Sequence, residues 1–509
     1  MMKVEQDMTQ MAIHKEAGIR ETDVAIIGAG FSGLCMGIRL KNDGRDNFLI
    51  LEQAGRVGGV WRDNTYPGCA CDVPSPLYSY SFEQQASWSR LFAPYNEIQE
   101  YMVKCAEKYD LNKHIQFNTQ VVAMRYNEDM RRWDIETKDG GRLSARILVA
   151  GLGGLNKPAI PNIPGIEDFK GPKMHSAEWR HDVDLEGKRV AVVGTGASAI
   201  QIVPSIVSTV GQLDLYQRTP PWVMPKADYE IKPKDQAWLT KNMWAQKFLR
   251  NYIFLRSEMS VFGLFNPKLM KRAENQGRAH IADAVKDPVL REKLTPKYTM
   301  GCKRILLSNV YYPALAQPNA DVVTSSIQRI TETSIVDASG VERPADAIVW
   351  CTGFKVQEPM ATVEITGLGG RNIKDDWKDG AEGYFGISAA GYPNFFFLVG
   401  PNTGLGHNSI VYVIETQVDY ILRCLDWMAK DELATIAIKP KAHVDFNVEL
   451  QQKLRKSVWK SGCDSWYTTD DGKVTTIWPG FSFTLRKKMT KIRKNDFDVE
   501  RLGNEHCFQ

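Results

Sequence analysis

An α/β fold with two Rossmann-like dinucleotide-binding domains and a small helical insert is predicted from three observations. Two glycine-rich turns, "VAIIGAGFSG" and "VAVVGTGASA", each follow an apolar strand-like run and lead into a helical pattern. A long aromatic-rich stretch without such signals occupies residues 225–299. The 509 residues exceed one simple core, so two or three domains are expected.

In the first turn, Asp23 to Ile27 reads as a short buried strand, and Gly28, Gly30 and Gly33 complete G-x-G-x-x-G. Glycines at these places permit a tight turn, close backbone approach to a pyrophosphate and close helix packing. The helix N-terminus adds free N–H groups and about half a positive charge. The next strand, "NFLILE", ends at Glu52, 19 residues after Gly33, where a carboxylate can meet a ribose hydroxyl. Glu52 suits the ribose of FAD. "GRVGGVW" follows, and its Gly58 and Gly59 let the backbone come close to a flavin.

In the second turn, Gly194, Gly196 and Ala199 give G-x-G-x-x-A, with Thr195 between the glycines. The following strand, "LDLYQR", ends in Gln217 and Arg218 rather than an acid, and Thr219 comes next. A carboxylate there would repel a 2′-phosphate, whereas an arginine fork can bind it bidentately. This site should therefore take NADPH. The strands "ARILVAGLGG" (Ala145–Gly154) and "ADAIVWCTGF" (Ala345–Phe354) end in small residues and suit crossings between domains. "YPNFFFLVGPNTGLGHNS" is an apolar strand running into a Gly/Asn turn.

Composition excludes several classes. At 43% hydrophobic and 24% charged residues the chain is ordinary for a soluble globular protein. A net charge of +4 and the lack of a basic block give no reason to expect nucleic acid. There is no apolar run long enough to span a membrane. Residues 1–20 are polar, lack a signal-peptide core and read as a loose leader. Nine scattered Cys argue against a disulfide framework and fit a reducing cytoplasm. Cys69 and Cys71 are separated only by Ala70, which strains a local disulfide, so they read as small buried residues lining a turn. Eight dispersed His without ligand spacing point to no metal.

Between the two turns lies "FKGPKMHSAEW", in which Phe169, Gly171, His175 and Trp179 match F-x-G-x-x-x-H-x-x-x-W. On these residues the chain resembles the class B flavoprotein monooxygenases, and among them the Baeyer–Villiger monooxygenases, from about residue 22 to residue 485. Residue 180 is Arg where the family has Pro or Asp. Trp179 fits this branch, since N- and S-oxygenating relatives usually carry Tyr or Phe there.

The resemblance implies an NADPH- and O2-dependent enzyme that converts a ketone to an ester or lactone through a flavin peroxide. It implies that Trp61, Asp72 and Tyr78 of "GGVWRDNTYPGCACDVPSPLYSYSF" face the flavin, with Tyr66 near the nicotinamide site and Val121 among the FAD contacts. "GCKRILLSNVYY" is similar to the segment of the family's essential arginine, here Arg304, with Lys303 as a partner of the 2′-phosphate; Ile305 replaces the usual Pro. "DSWY" (Asp464–Tyr467) is similar to the loop whose Trp, here Trp466, closes over NADP. An always-charged guanidinium suits a developing oxygen anion, and an ionised Asp72 would hold it in place. The nearest rival is an N- or S-oxygenating monooxygenase on the same scaffold.

The implied layout is an FAD domain from residues 1–160 and 356–509, and an NADPH domain from 161–224 and 300–355. Residues 225–299 form the helical insert. In "AWLTKNMWAQKFLRNYIFLRSEMSVFGLF", Trp238, Trp244, Phe248 and Tyr252 either pack between helices or make an apolar approach for substrate. Arg250, Arg256 and Glu258 interrupt the run and count against membrane contact. No motif speaks to which ketone is taken or to oligomeric state.

Overall fold

The structure, a computed structural model, describes residues 19–356, 360, 363–463 and 465–502. Nearly all of the proposed leader, and Asp464, lie outside them.

Two separate parallel cores organise the chain. In the first, Arg20–Ile27 runs between Phe48–Leu51 and Arg142–Ala150, parallel to both. Ala25, Ile26, Ile147 and Leu148 are fully buried, as strands covered on both faces require. Val121–Asn127 and Arg132–Thr137 extend this sheet as an antiparallel meander. Late in the chain, Phe395–Phe397 returns to pair with Arg142–Ala150. Helices Phe31–Asn42 and Ile410–Lys430 pack together beside the sheet.

The second core is a five-stranded parallel sheet. Its order is Ala320–Val323, Gln212–Tyr216, Arg189–Val193, Ala347–Trp350 and Lys173–His175. Helix Ala199–Ile206 follows the second glycine turn. Each core thus places a glycine turn at the carboxyl end of a buried strand, where open α/β sheets bind ligands.

Between these parts lie helices Pro233–Lys241, Met243–Met259, Val261–Leu264, Pro267–Ala284 and Pro288–Leu294. They dock on the loop that follows Asp72. Arg250 Nη1 donates to the carbonyls of Pro76 and Ser79 at 2.7 and 2.8 Å, and Gln236 Nε2 donates to Trp88 O at 2.9 Å. Trp238, Trp244, Phe248 and Tyr252 are each more than half exposed. Trp238 and Trp244 meet edge-on between two helices, ring centres 6.0 Å apart, but the expectation of packing between helices is corrected for Phe248 and Tyr252: the buried side of Met243–Met259 is made by Ala245, Arg250, Ile253 and Glu258 instead.

Candidate active site

The glycine turn at Gly28 is closed by a carboxylate. Glu52 ends the second strand, and its Oε2 accepts from Ala29 N at 2.7 Å. Its Oε1 accepts from Ala54 N and from Arg62 Nη1, both at 2.9 Å. A Cβ on Gly33 would lie 1.8 Å from Gly28 O, so the helix can approach the turn only with glycine there. Gly59 brings the following loop against Gly30: its Cβ would stand 3.2 Å from Gly30 Cα. The N-terminus of helix Phe31–Asn42 has Gly30 as its cap and no side-chain cap. Val121 starts its strand with the side chain in the same apolar cluster as Ile27 and Leu51.

These residues lie behind a large cleft of about 1280 Å³. Its wall brings together Trp61, Tyr66, Asp72 and Tyr78 with Gly194, Thr195, Gly196, Arg218 and Thr219 of the second turn. Lys303, Arg304 and Trp466 complete it. Gly28, Gly30, Gly33, Glu52, Gly59, Val121 and Ala199 are not in this wall. Trp61, two residues past Gly59, links the two groups; its Nε1 donates to Tyr78 Oη at 3.1 Å. Ala199 is fully buried at the start of its helix, in the place that Gly33 holds in the first turn. Thr195 Oγ1 donates to Thr219 O at 3.0 Å and ties the turn to the end of the neighbouring strand.

Asp72 and Arg304, 232 residues apart, meet in the cleft. Arg304 Nε and Nη2 both donate to Asp72 Oδ2, at 2.9 and 2.5 Å. Each side chain keeps about a third of its surface open, 32% for Asp72 and 35% for Arg304. The cleft walls disfavour the Asp72 charge, but the Arg304 charge and hydrogen bonds outweigh them, and its pKa falls below the usual carboxylate value. Arg304 is correspondingly raised, first by the Asp72 charge. Among the described lining residues Asp72 is the one carboxylate, against Arg218, Lys226, Lys303, Arg304 and Lys355. Such a cleft focuses positive potential and draws in anions.

The F-x-G-x-x-x-H segment is no free linker. Lys173–His175 is the edge strand of the second sheet, with His175 opposite Trp350. A Cβ on Gly171 would stand 2.4 Å from Asp346 O. Phe169 is buried in the apolar cluster that holds Ile348 and Trp350. His175 Nδ1 accepts from Ala177 N at 3.1 Å, and burial lowers the ring's pKa, so the imidazole is held neutral. The turn Ser176–Glu178 then touches the short helix Val60–Asp63 of the first core. Trp179 is half-buried against the second core. Arg180 pairs with Asp182 on the surface at 2.5 Å, and Ile305 packs on the main core.

Three side chains were not singled out from sequence. Gln201, on the helix after the second turn, accepts from Tyr66 Oη at 2.9 Å through Oε1. Its Nε2 donates to Ala70 O at 2.9 Å, which clasps the loop bearing Asp72 to the second core. Lys226 lines the cleft with its ammonium 4.7 Å from the Phe92 ring centre, and burial lowers its pKa. Tyr467 is buried beside Arg304 and Trp466, and burial raises its phenol pKa. No local pattern marks them, because each acts on a distant part of the chain.

The cysteine reading is corrected at one place. Cys302 and Cys463 form a disulfide with Cα atoms 6.3 Å apart, across 161 residues. Folding brings the Arg304 segment and the Trp466 loop to the same cleft wall, and one cysteine sits on each. Cys69 and Cys71 are free and buried.

Residues 21–368 match the flavin-binding monooxygenase-like family. The chain is 47% identical over 473 residues to a Baeyer–Villiger monooxygenase of Pseudomonas aeruginosa, covering 92% of this chain and 90% of that one. The chain belongs to the flavin-binding monooxygenases, on their Baeyer–Villiger branch. A Baeyer–Villiger monooxygenase of Streptomyces coelicolor is 42% identical over 496 residues, 96% of this chain and 95% of the relative. Among solved structures, this monooxygenase superposes on an oxidised steroid monooxygenase bound to NADP with a TM-score of 0.86. The identity there is 31%, over 94% of this chain and 99% of the other. Cyclohexanone monooxygenase from Rhodococcus sp. Phi1 bound to NADP+ gives 0.86 at 26% identity, over 95% and 100%. These neighbours establish the two Rossmann-like domains of the monooxygenase.

Proposed function

We propose that the enzyme uses NADPH and O2 to insert one oxygen atom next to a ketone carbonyl, giving an ester or lactone. The observation that carries this is the Arg304–Asp72 pair, set in one cleft that Trp61, Tyr78 and the second glycine turn also line. The donor sets fit both nucleotides. The uncapped helix N-terminus at Gly30 and the Gly30–Gly59 approach suit the pyrophosphate of FAD. Arg218 and Lys303, with no acid at the end of strand Gln212–Tyr216, suit the 2′-phosphate of NADPH. Bound FAD supplies the redox and oxygen-transfer chemistry. The chain's own residues place the ketone and hold charge. Asp72 aims the guanidinium, which stabilises an oxygen anion beside the carbonyl and then the oxyanion that forms on it. Tyr467, buried beside Arg304, shields that side of the guanidinium from water.

On this reading residues 1–160 and 356–509 build the FAD domain, and 161–224 with 300–355 the NADPH domain. A cytoplasmic setting belongs to the same reading; among the described residues six cysteines are free and buried, although Cys302–Cys463 is disulfide-bonded.

Purified yellow protein, given NADPH and a panel of ketones beside a tertiary amine and a thioether, tests it by product identification. Esters or lactones are expected from ketones; N-oxide formation without ester would assign the rival activity. Arg218→Ala is expected to raise the KM for NADPH about tenfold or more and to narrow the preference over NADH, at little change in kcat. Steady-state kinetics with both nucleotides check it, and an unchanged preference counts against a 2′-phosphate contact.

A further inference from the structure

Helix Met243–Met259 turns its apolar side away from the molecule. Trp244, Phe248, Tyr252, Leu255 and Met259 are 55–68% exposed. Their spacing of four, four, three and four residues keeps them within an arc of about 80°, at about 100° per residue. Phe262 continues the patch edge-on to Phe481, which stacks on exposed Phe483. An apolar face this continuous marks an interaction site.

Two of the charges that interrupt this run in the sequence do not reach the surface. Arg250 is spent on the Pro76 and Ser79 carbonyls. Glu258 is buried, accepting from Asn408 Nδ2 at 2.5 Å and from Ser482 N at 2.9 Å. Arg256 remains exposed and, with Lys247, flanks the stripe on opposite sides. Their long stems can lie along an apolar surface while the heads stay in water.

Positive charge is concentrated here. Residues 232–278 hold ten Lys and Arg against three Asp and Glu, the buried Arg250 and Glu258 among them; residues 482–494 hold six against none, of which Arg486, Lys488 and Lys494 pair with Asp419, Glu449 and Asp431 of neighbouring elements, in a chain of net charge +4. The Phe262–Phe481 contact and the Glu258–Ser482 bond join the two segments.

We propose that this face docks on an anionic lipid surface, the aromatic stripe lying at the boundary of headgroups and acyl chains and the basic rim on the headgroups. Aromatic and aliphatic side chains flanked by Lys and Arg on one helix are the composition of interfacial helices. No described helix is long and apolar enough to cross a membrane, so the contact is peripheral. A second copy of the chain is a poorer occupant. A two-fold contact sets a patch against itself, which would oppose two net-positive surfaces.

The FAD-loaded enzyme, sedimented with sucrose-filled vesicles, tests this without reference to the reaction. It is expected to pellet with phosphatidylglycerol-containing vesicles at least about tenfold better than with phosphatidylcholine alone, and less in high salt. Trp emission should shift to shorter wavelength on binding. Phe248→Ser/Tyr252→Ser should lower vesicle binding about tenfold with FAD retained, and Lys247→Glu/Arg256→Glu should abolish the preference for anionic lipid. Failure of the native enzyme to bind anionic vesicles, or equal binding by the variants, overturns the proposal. So does a dimer in light scattering that the aromatic variant dissolves, which would assign the stripe to a second copy.

Discussion

Arg304→Ala is expected to leave NADPH oxidation in place and to cut ester formation by about 10²–10³, the usual cost of removing one preorganised donor to an oxyanion. Oxygen would still be consumed, but as released peroxide. Asp72 takes both Nε and Nη2 through one carboxylate oxygen, which fixes the plane of the guanidinium. Arg304→Lys keeps a charge but not the planar fork, so it should recover only part of the loss. Removing Arg304 also leaves Asp72 without the partner that depresses its pKa, and the cleft walls then drive that carboxyl upward. Measuring ester and peroxide in the same reaction, with a thermal melt to verify folding, checks the assignment. Ester at the native rate would remove Arg304 from the chemistry.

Gly33→Val should yield protein without flavin. The new Cβ would stand 1.8 Å from Gly28 O and 3.4 Å from Ile26 Cγ2, and backbone cannot yield as a side-chain tip would. The helix must back away from the turn, which separates its N-terminus from any phosphate held there. A loss of about 3 kcal/mol or more in stability is expected, as for other steric overpacking in a buried turn. The absorbance spectrum and the melting temperature test this; a yellow protein of normal Tm would mean that the turn has more room than the backbone indicates.

Both glycine turns could be read locally, since strand, turn and helix are contiguous and each glycine has its own steric reason. The Arg304–Asp72 contact could not: 232 residues separate the partners, and only the family resemblance of their flanking segments paired them. The same distance hid the Gln201 clasp and the Cys302–Cys463 bond. Arg250 and Glu258 misled in the opposite way. In the sequence their charges interrupt the apolar run and count against membrane contact, whereas the fold supplies buried carbonyl and amide partners that periodicity cannot foresee. Val121 was assigned by resemblance alone, and its side chain belongs to the core.

The two passages of chain between the cores run side by side. Pro158 bridges Phe354, Ala159 N donates to Gly353 O at 2.9 Å, and Thr352 Oγ1 donates to Ala159 O at 2.6 Å. The second sheet therefore hangs on a doubled strap instead of a single thread. The Gln201 clasp and the Cys302–Cys463 bond tie the same two parts at further places, so swinging of one nucleotide fold against the other is restrained by more than the strap.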